Sequence, residues 1–112
     1  MEEQGVVAET TELEASLERI EGERRFVVRN IGTASARNVR FAVQSEREKN
    51  SPVSTHDLQG AFPIEEMLPG ETVSLGAIIT PGTGLHFRGV VTWLNLDGSE
   101  QERTFYFRDA LG

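Results

Sequence analysis

Hydrophobic and polar positions alternate with period two along most of the chain. The clearest stretch is Phe26–Val43, FVVRNIGTASARNVRFAV. Phe26, Val28 and Asn30 point one way in a first strand, and Val39, Phe41 and Val43 do so in a second. Gly32-Thr33-Ala34-Ser35 breaks the run with small residues that permit a turn, so the pattern predicts two strands joined by a polar corner.

Thr11–Ile20, TELEASLERI, fits two patterns. Leu13, Leu17 and Ile20 make a helical stripe in a segment of good helix formers. Alternatively Leu13, Ala15 and Leu17 line one face of a strand, with Glu12, Glu14 and Glu18 on the other. Pairing arithmetic selects the strand. A two-residue turn at Glu21-Gly22 sets Leu17 opposite Phe26 and Ala15 opposite Val28 on one face. On the other it sets Glu18 opposite Arg25 and Glu14 opposite Arg29. Apolar then meets apolar and acid meets arginine, each pair contributing roughly 0.2–1 kcal/mol.

Downstream, Gln44–Gly60 is polar and predicts a long exposed connection, with Val53 or Leu58 as the place for a short edge strand. Long loops of this kind carry recognition surfaces or simply tolerate drift. Pro63–Leu68 predicts a short strand, and Pro69-Gly70 a type II turn with glycine at the positive-φ position. Val73, Leu75, Ala77 and Ile79 alternate as another strand, followed by a turn at Thr80–Gly84. The final hairpin places Phe87, Val91 and Trp93 on one face of Leu85–Asn95, and Phe105 and Phe107 on Arg103–Arg108. A two-residue Asp97-Gly98 turn would set the faces at odds. A three-residue loop, Leu96-Asp97-Gly98, puts Phe105 opposite Gly89 and Phe107 opposite Phe87. About seven strands and no helix predict an antiparallel β-sandwich.

Length and charge narrow the picture further. At 112 residues the chain forms one domain, placed at residues 11–110, which buries roughly two-thirds of its unfolded surface without a staple. Residues 1–10 are an acidic leading segment, either frayed or adding a short edge strand at Val6-Val7. There is no cysteine, which excludes disulfides and thiolate metal sites. No run approaches the ~20 apolar residues of a membrane span, so the chain as written reads as soluble, without membrane insertion. The net charge of −7 comes from residues 1–23, with eight glutamates against Arg19; the remainder is neutral. Nucleic-acid binding, which asks for a strongly basic face, is not expected.

Three fragments in order, Val28–Val39 (VRNIGTASARNV), Leu68–Thr72 (LPGET) and Val91–Gly98 (VTWLNLDG), resemble bacterial and archaeal immunoglobulin-like modules of the CARDB (cell-adhesion-related) type. There a strand ends in V-x-N-x-G, an A-x-x-V strand follows, then L-x-P-G-E, a V-x-W/Y strand and an acidic-Gly turn. The match spans about residues 13–108; the third slot reads Met67-Leu68-Pro69-Gly70-Glu71 and lacks the spacer. The resemblance implies an immunoglobulin-like sandwich serving as a spacer, adhesion unit or interaction domain, including a domain of a larger exported or cell-envelope protein. It brings no catalytic residues. It gives Asn30 and Gly32 structural roles, the amide bonding turn backbone and the glycine relieving strain. Pro69, Gly70, Asp97 and Gly98 are likewise turn residues.

Candidate chemistry is sparse. His56 and His86 are the only histidines. His56-Asp57 with a serine would make a nucleophilic set, yet no serine sits in a nucleophile elbow. Glu65 and Glu66 point to opposite faces of a strand, and Asp97 with Glu100 sits on a turn, so no metal site is expected. Gly82-Thr83-Gly84 and Gly70 lack the lysine and helix of a phosphate loop. No cofactor is expected. One surface is left: with Trp93 inward, Val90, Leu94, Leu96 and Tyr106 face outward. They form a partner patch, or a neighbouring strand or the leading segment covers them. The expected function is a non-enzymatic accessory or protein-interaction module, a monomer or weak homodimer. The alternative is a carbohydrate-binding sandwich, which needs two or three exposed aromatics.

Overall fold

Glu21 and Gly22 both adopt left-handed backbone, with φ of 52° and 85°, the geometry of a hairpin turn whose twist matches its strands. They join β1 (Leu13–Ile20) to β2 (Glu23–Asn30). The register sets Leu17 opposite Phe26, Ala15 opposite Val28, Glu18 opposite Arg25 and Glu14 opposite Arg29. Of Thr11–Ile20, the residues from Leu13 on are therefore strand and not helix. The computed structural model describes residues 10–47, 50–80 and 84–109. The expected strand at Val6-Val7 and the middle of the Thr80–Gly84 turn lie outside the described residues.

The remaining elements are β3 (Ala36–Ser45), α1 (Thr55–Ala61), β4 (Ile64–Met67), β5 (Thr72–Gly76), β6 (His86–Leu94) and β7 (Glu100–Arg108). Two antiparallel sheets form, ordered β1-β2-β5 and β4-β3-β6-β7. The chain is thus a seven-stranded immunoglobulin-like sandwich, in which the corner after β2 carries it from one sheet to the other. Phe26 sits at the centre of the core, 5.8 Å from Phe87 and 5.3 Å from Phe107 between ring centroids, both edge-on. That geometry favours aromatic pairs beyond their buried area. Trp93, Val91, Leu13 and Met67 complete the enclosed apolar layer.

The corner shows why its residues are what they are. Asn30 is fully buried, 1% exposed. Its amide donates to the carbonyls of Ala34 (3.0 Å) and Met67 (2.9 Å), and its Oδ1 accepts from the Gly32 N–H (2.9 Å). One side chain thereby satisfies three backbone groups that burial would otherwise strand. Gly32 corrects an expectation. Its φ is not in the left-handed region, so relief of strain is not its role. A Cβ there would lie 2.4 Å from Thr10 O and 2.6 Å from Glu12 N. Residues 10–12 run against the corner, with Thr33 and Ala34 N–H on Thr10 O (2.8 and 3.0 Å) and Ile31 N–H on Glu12 O (2.9 Å). Only glycine leaves room for that approach.

In β3, Ala36 and Val39 are both buried although three residues apart. The β3–β6 register shifts between Arg37 and Arg40, and Asn38 takes φ 51°. This bulge absorbs one residue, so both apolar side chains reach the core.

Two further expectations are corrected. The Gln44–Gly60 connection begins in the last two residues of β3 and then contains a helix, with no further strand among its described residues. Ser54 caps α1, its hydroxyl accepting from Asp57 N–H at 3.0 Å, and Leu58 and Ala61 pack on the core. Pro52 and Val53, ahead of it, are buried, as is Phe62 behind it, whose ring lies 5.9 Å from that of Phe41, so the connection covers the core beside β3. The Val73–Ile79 strand stops at Gly76; Ala77 and Ile79 still pack on the core from irregular backbone. Pro69-Gly70 is a type II turn, with Gly70 at φ 86° and Glu71 N–H bonded to Leu68 O at 3.0 Å.

Candidate functional site

The final hairpin closes as its parity requires. Phe107 lies opposite Phe87 and Phe105 opposite Gly89. Asn95 and Ser99 form the last bonded pair around Leu96-Asp97-Gly98, with Gly98 at φ 87°. Trp93 is 3% exposed, and its indole N–H donates to Asn95 Oδ1 at 3.2 Å. From there Asn95 donates to Ser99 Oγ (3.0 Å), and Ser99 donates to Asp97 Oδ1 through both hydroxyl (2.6 Å) and backbone N–H (2.9 Å). The Ser99 hydroxyl and then its amide hold the Asp97 carboxyl below its ordinary pKa. The loop is thereby tied to the core through the tryptophan.

This hairpin fixes the outer face of the four-stranded sheet. Val90 and Leu94 lie on that face of β6 with Thr92 between them. On β7, Tyr106 stands opposite Arg88 of β6, and by ladder parity shares the face. Val90 and Leu94 are half-buried, Leu96 at the hairpin tip is 52% exposed and Tyr106 70% exposed. Val90, Leu94 and Tyr106 thus share the outer face, whereas Leu96 at the hairpin tip lines a groove with Thr10, Thr11 and Gln101. Sequence reading missed Ala42 of β3, which lies opposite Val90. It also missed the polar border of Arg40, Arg88 and Glu102; Arg40 joins it through the β3–β6 register, which sets it opposite Thr92.

Beside this face runs the free edge of β7, nine residues long. Bonding alternates along an antiparallel ladder. The Asn95–Ser99 pair and the Asp109 N–H bond to Leu85 O (2.8 Å) place the odd-numbered residues of β7 in the ladder with β6. Glu100, Glu102, Thr104, Tyr106 and Arg108 consequently turn their backbone groups outward, and no described residue bonds them. At the seam with β1, Arg103 reaches Glu12 (3.1 Å) and the Leu13 carbonyl (3.3 Å), and its guanidinium lies 4.9 Å from the Phe105 ring centroid.

On the outer face of the other sheet, Arg29 forms a two-pronged bridge to Glu18 (2.6 and 3.2 Å), joined by the Ser16 hydroxyl at 2.6 Å. Those hydrogen bonds, Arg29 first and Ser16 second, lower the Glu18 pKa to about 2. Although Glu14 stands opposite Arg29, the arginine is long enough to pass Ser16 and take Glu18. Arg25 turns the other way, to Ser74 Oγ at 2.9 Å. Val27, between these arginines on the outer face, is completely buried.

The remaining candidates disperse. His56, Asp57 and Ser74 do share an open groove of about 410 Å³ between α1 and β5. Ser74 Oγ there accepts from Arg25, and neither the imidazole nor the carboxylate holds it, so the relay a nucleophile needs is not assembled. His86 lines a different groove, with Glu46 and Leu85. Glu65 and Glu66 are both exposed on the edge strand β4. Asp97 borders an open groove of about 450 Å³ with Thr10, Thr11 and Gln101. Among the described residues no three histidine or acidic side chains converge as metal ligands would, and no helix is long and apolar enough to cross a membrane. Gly82 and Thr83 lie outside the described residues. Compared with protein-family models, with curated proteins and with solved structures, the chain matches none of them.

Proposed function

We propose that this chain is a non-enzymatic, immunoglobulin-like accessory module that works by binding protein through its β6–β7 hairpin. The observation that carries the reading is the nine-residue open edge of β7, adjoining a sheet face that exposes Tyr106. An open edge offers main-chain hydrogen bonds to an incoming strand, and the neighbouring side chains supply selectivity. The resemblance of VRNIGTASARNV, LPGET and VTWLNLDG to CARDB-type modules supports the same class of role. A sugar-binding platform has less support, because Trp93 is buried and Tyr106 is the one aromatic side chain that stands largely exposed among the described residues.

The test places photoreactive benzoylphenylalanine at Tyr106 in the cells from which the protein comes. The expected result is a defined protein adduct that Leu94→Glu removes while circular dichroism shows the fold retained. Absence of any adduct from position 106, with the protein folded, overturns the reading.

A further inference from the structure

We propose that the partner of β7 is β7 of a second copy of this chain, paired antiparallel about a twofold axis at Thr104, so that two four-stranded sheets become one. This inference rests on the interaction-module reading and specifies its partner.

Strand parity is the first support. In an antiparallel ladder every residue bonded to a given neighbour has the same parity. The outward-bonding residues of β7 are Glu100, Glu102, Thr104, Tyr106 and Arg108. Rotation about Thr104 sets each of them against another of the same set: Thr104 on Thr104, Glu102 on Tyr106, Glu100 on Arg108. Every outward N–H and C=O of the strand meets a mate, and core-side residues stay core-side.

Charge is the second. Glu100 at one end and Arg108 at the other have no ion-pair partner among the described residues, and opposite charges at opposite ends of one strand complement each other only when the copies run antiparallel. A parallel arrangement would stack like on like. Moving the register two residues toward the start of β7 centres it on Arg103 and sets Arg103 on Arg103, like charge on like. Moving it two residues the other way leaves Glu100 without a mate inside the strand. The full-length register gives Glu–Arg and Thr–Thr pairs, both stabilising across strands. On the core-side face it brings Arg103 opposite Phe105, the same chemistry Arg103 already has with Phe105 in its own chain at 4.9 Å. A twofold contact of this kind closes on itself and does not propagate.

Position in the fold is the third. The other edges of the sandwich are less open: β4 and β5 have four and five residues, and on the edge of β1 the Leu13 carbonyl is already engaged by Arg103.

The chain has no cysteine, so Thr104→Cys introduces a single thiol. On the twofold axis the two copies' Cα atoms fall about 5.5 Å apart, inside the range a disulfide spans. Glu102→Cys, also exposed, would sit roughly 15 Å from its own copy, four strand residues at about 3.4 Å each along the strand together with the spacing across it. Expected under mild oxidation is rapid covalent dimer from Thr104→Cys and little from Glu102→Cys alone. A mixture of Glu102→Cys with Tyr106→Cys should cross-link. Light scattering across a concentration series should show the unmodified chain dimerising. Thr104→Pro should be monomeric with its fold intact, since the Thr104 N–H serves no bond among the described residues and proline is tolerated on an edge. A chain that stays monomeric at every concentration, or a Thr104→Cys no faster than Glu102→Cys, overturns the second-copy inference. A heterologous adduct at Tyr106 would then leave the interaction reading standing; no adduct would remove both.

Discussion

Gly32→Ala is the substitution whose cost the structure states most directly. The added methyl would sit 2.4 Å from Thr10 O and 2.6 Å from Glu12 N, where carbon normally keeps at least about 3.5 Å. Both obstacles are backbone, so no rotamer change relieves them. Either residues 10–12 or the corner must move by about 1 Å. Such a shift breaks the bonds from Thr33 and Ala34 to Thr10 and from Ile31 to Glu12. Three backbone bonds at about 1 kcal/mol each give a loss of roughly 3 kcal/mol, comparable to forcing a methyl into a packed core. For a domain of this size that lowers Tm by about 10 °C or more. Urea unfolding followed through Trp93, which is buried when folded, measures it. Gly60→Ala is the control: Gly60 lies inside α1 with no atom within 4 Å of the added Cβ, so it should stabilise by roughly 0.5–1 kcal/mol. A Gly32→Ala loss under about 0.5 kcal/mol, the scatter of ordinary surface substitutions, would refute the close-approach argument.

Asn30→Asp keeps the size but replaces the donor that serves Ala34 O and Met67 O with an acceptor. It should destabilise strongly at neutral pH and regain part of the loss in acid, where a protonated carboxyl can donate again; urea midpoints at pH 7 and pH 4 show this. Gly89→Ala would put a methyl 2.7 Å from Phe107 Cε2 and 3.1 Å from Phe41 Cε1, and should cost about 1–3 kcal/mol as the rings are pushed off their rotamers. The Glu18 pKa is depressed to about 2 from an ordinary 4.5. Its bridge to Arg29 therefore contributes stability above pH 4.5, and that contribution is lost as pH falls toward 2. Wild type should melt above Glu18→Gln at pH 7, and the two should converge near pH 2; a gap independent of pH would exclude the bridge as its source. Leu94→Glu, on the half-buried outer face, should leave the fold intact in thermal melts while removing the Tyr106 photoadduct.

Sequence pattern alone was enough for the hairpins. Leu17 against Phe26 and Phe107 against Phe87 follow from parity and turn length, because a slip of one residue would turn a whole strand inside out. It also placed Trp93 inward and Gly70 in its turn. Other features depended on atoms distant in the chain. Gly32 is required by the backbone of Thr10 and Glu12, and nothing local to the corner announces that. The bulge at Asn38 had a trace in the spacing of Ala36 and Val39, which share a face only if a residue is absorbed between them. The helix had one too, in Ser54-Thr55-His56-Asp57 ahead of Leu58, a capping pattern that a polar, proline-containing stretch obscured. The diagonal Arg29–Glu18 bridge and the outward-turned backbone of β7 are set by how strands lie beside one another. Alternation along a strand tells which side chains face inward. Which strand ends a sheet, and so which backbone is left open to a partner, only the tertiary arrangement decides.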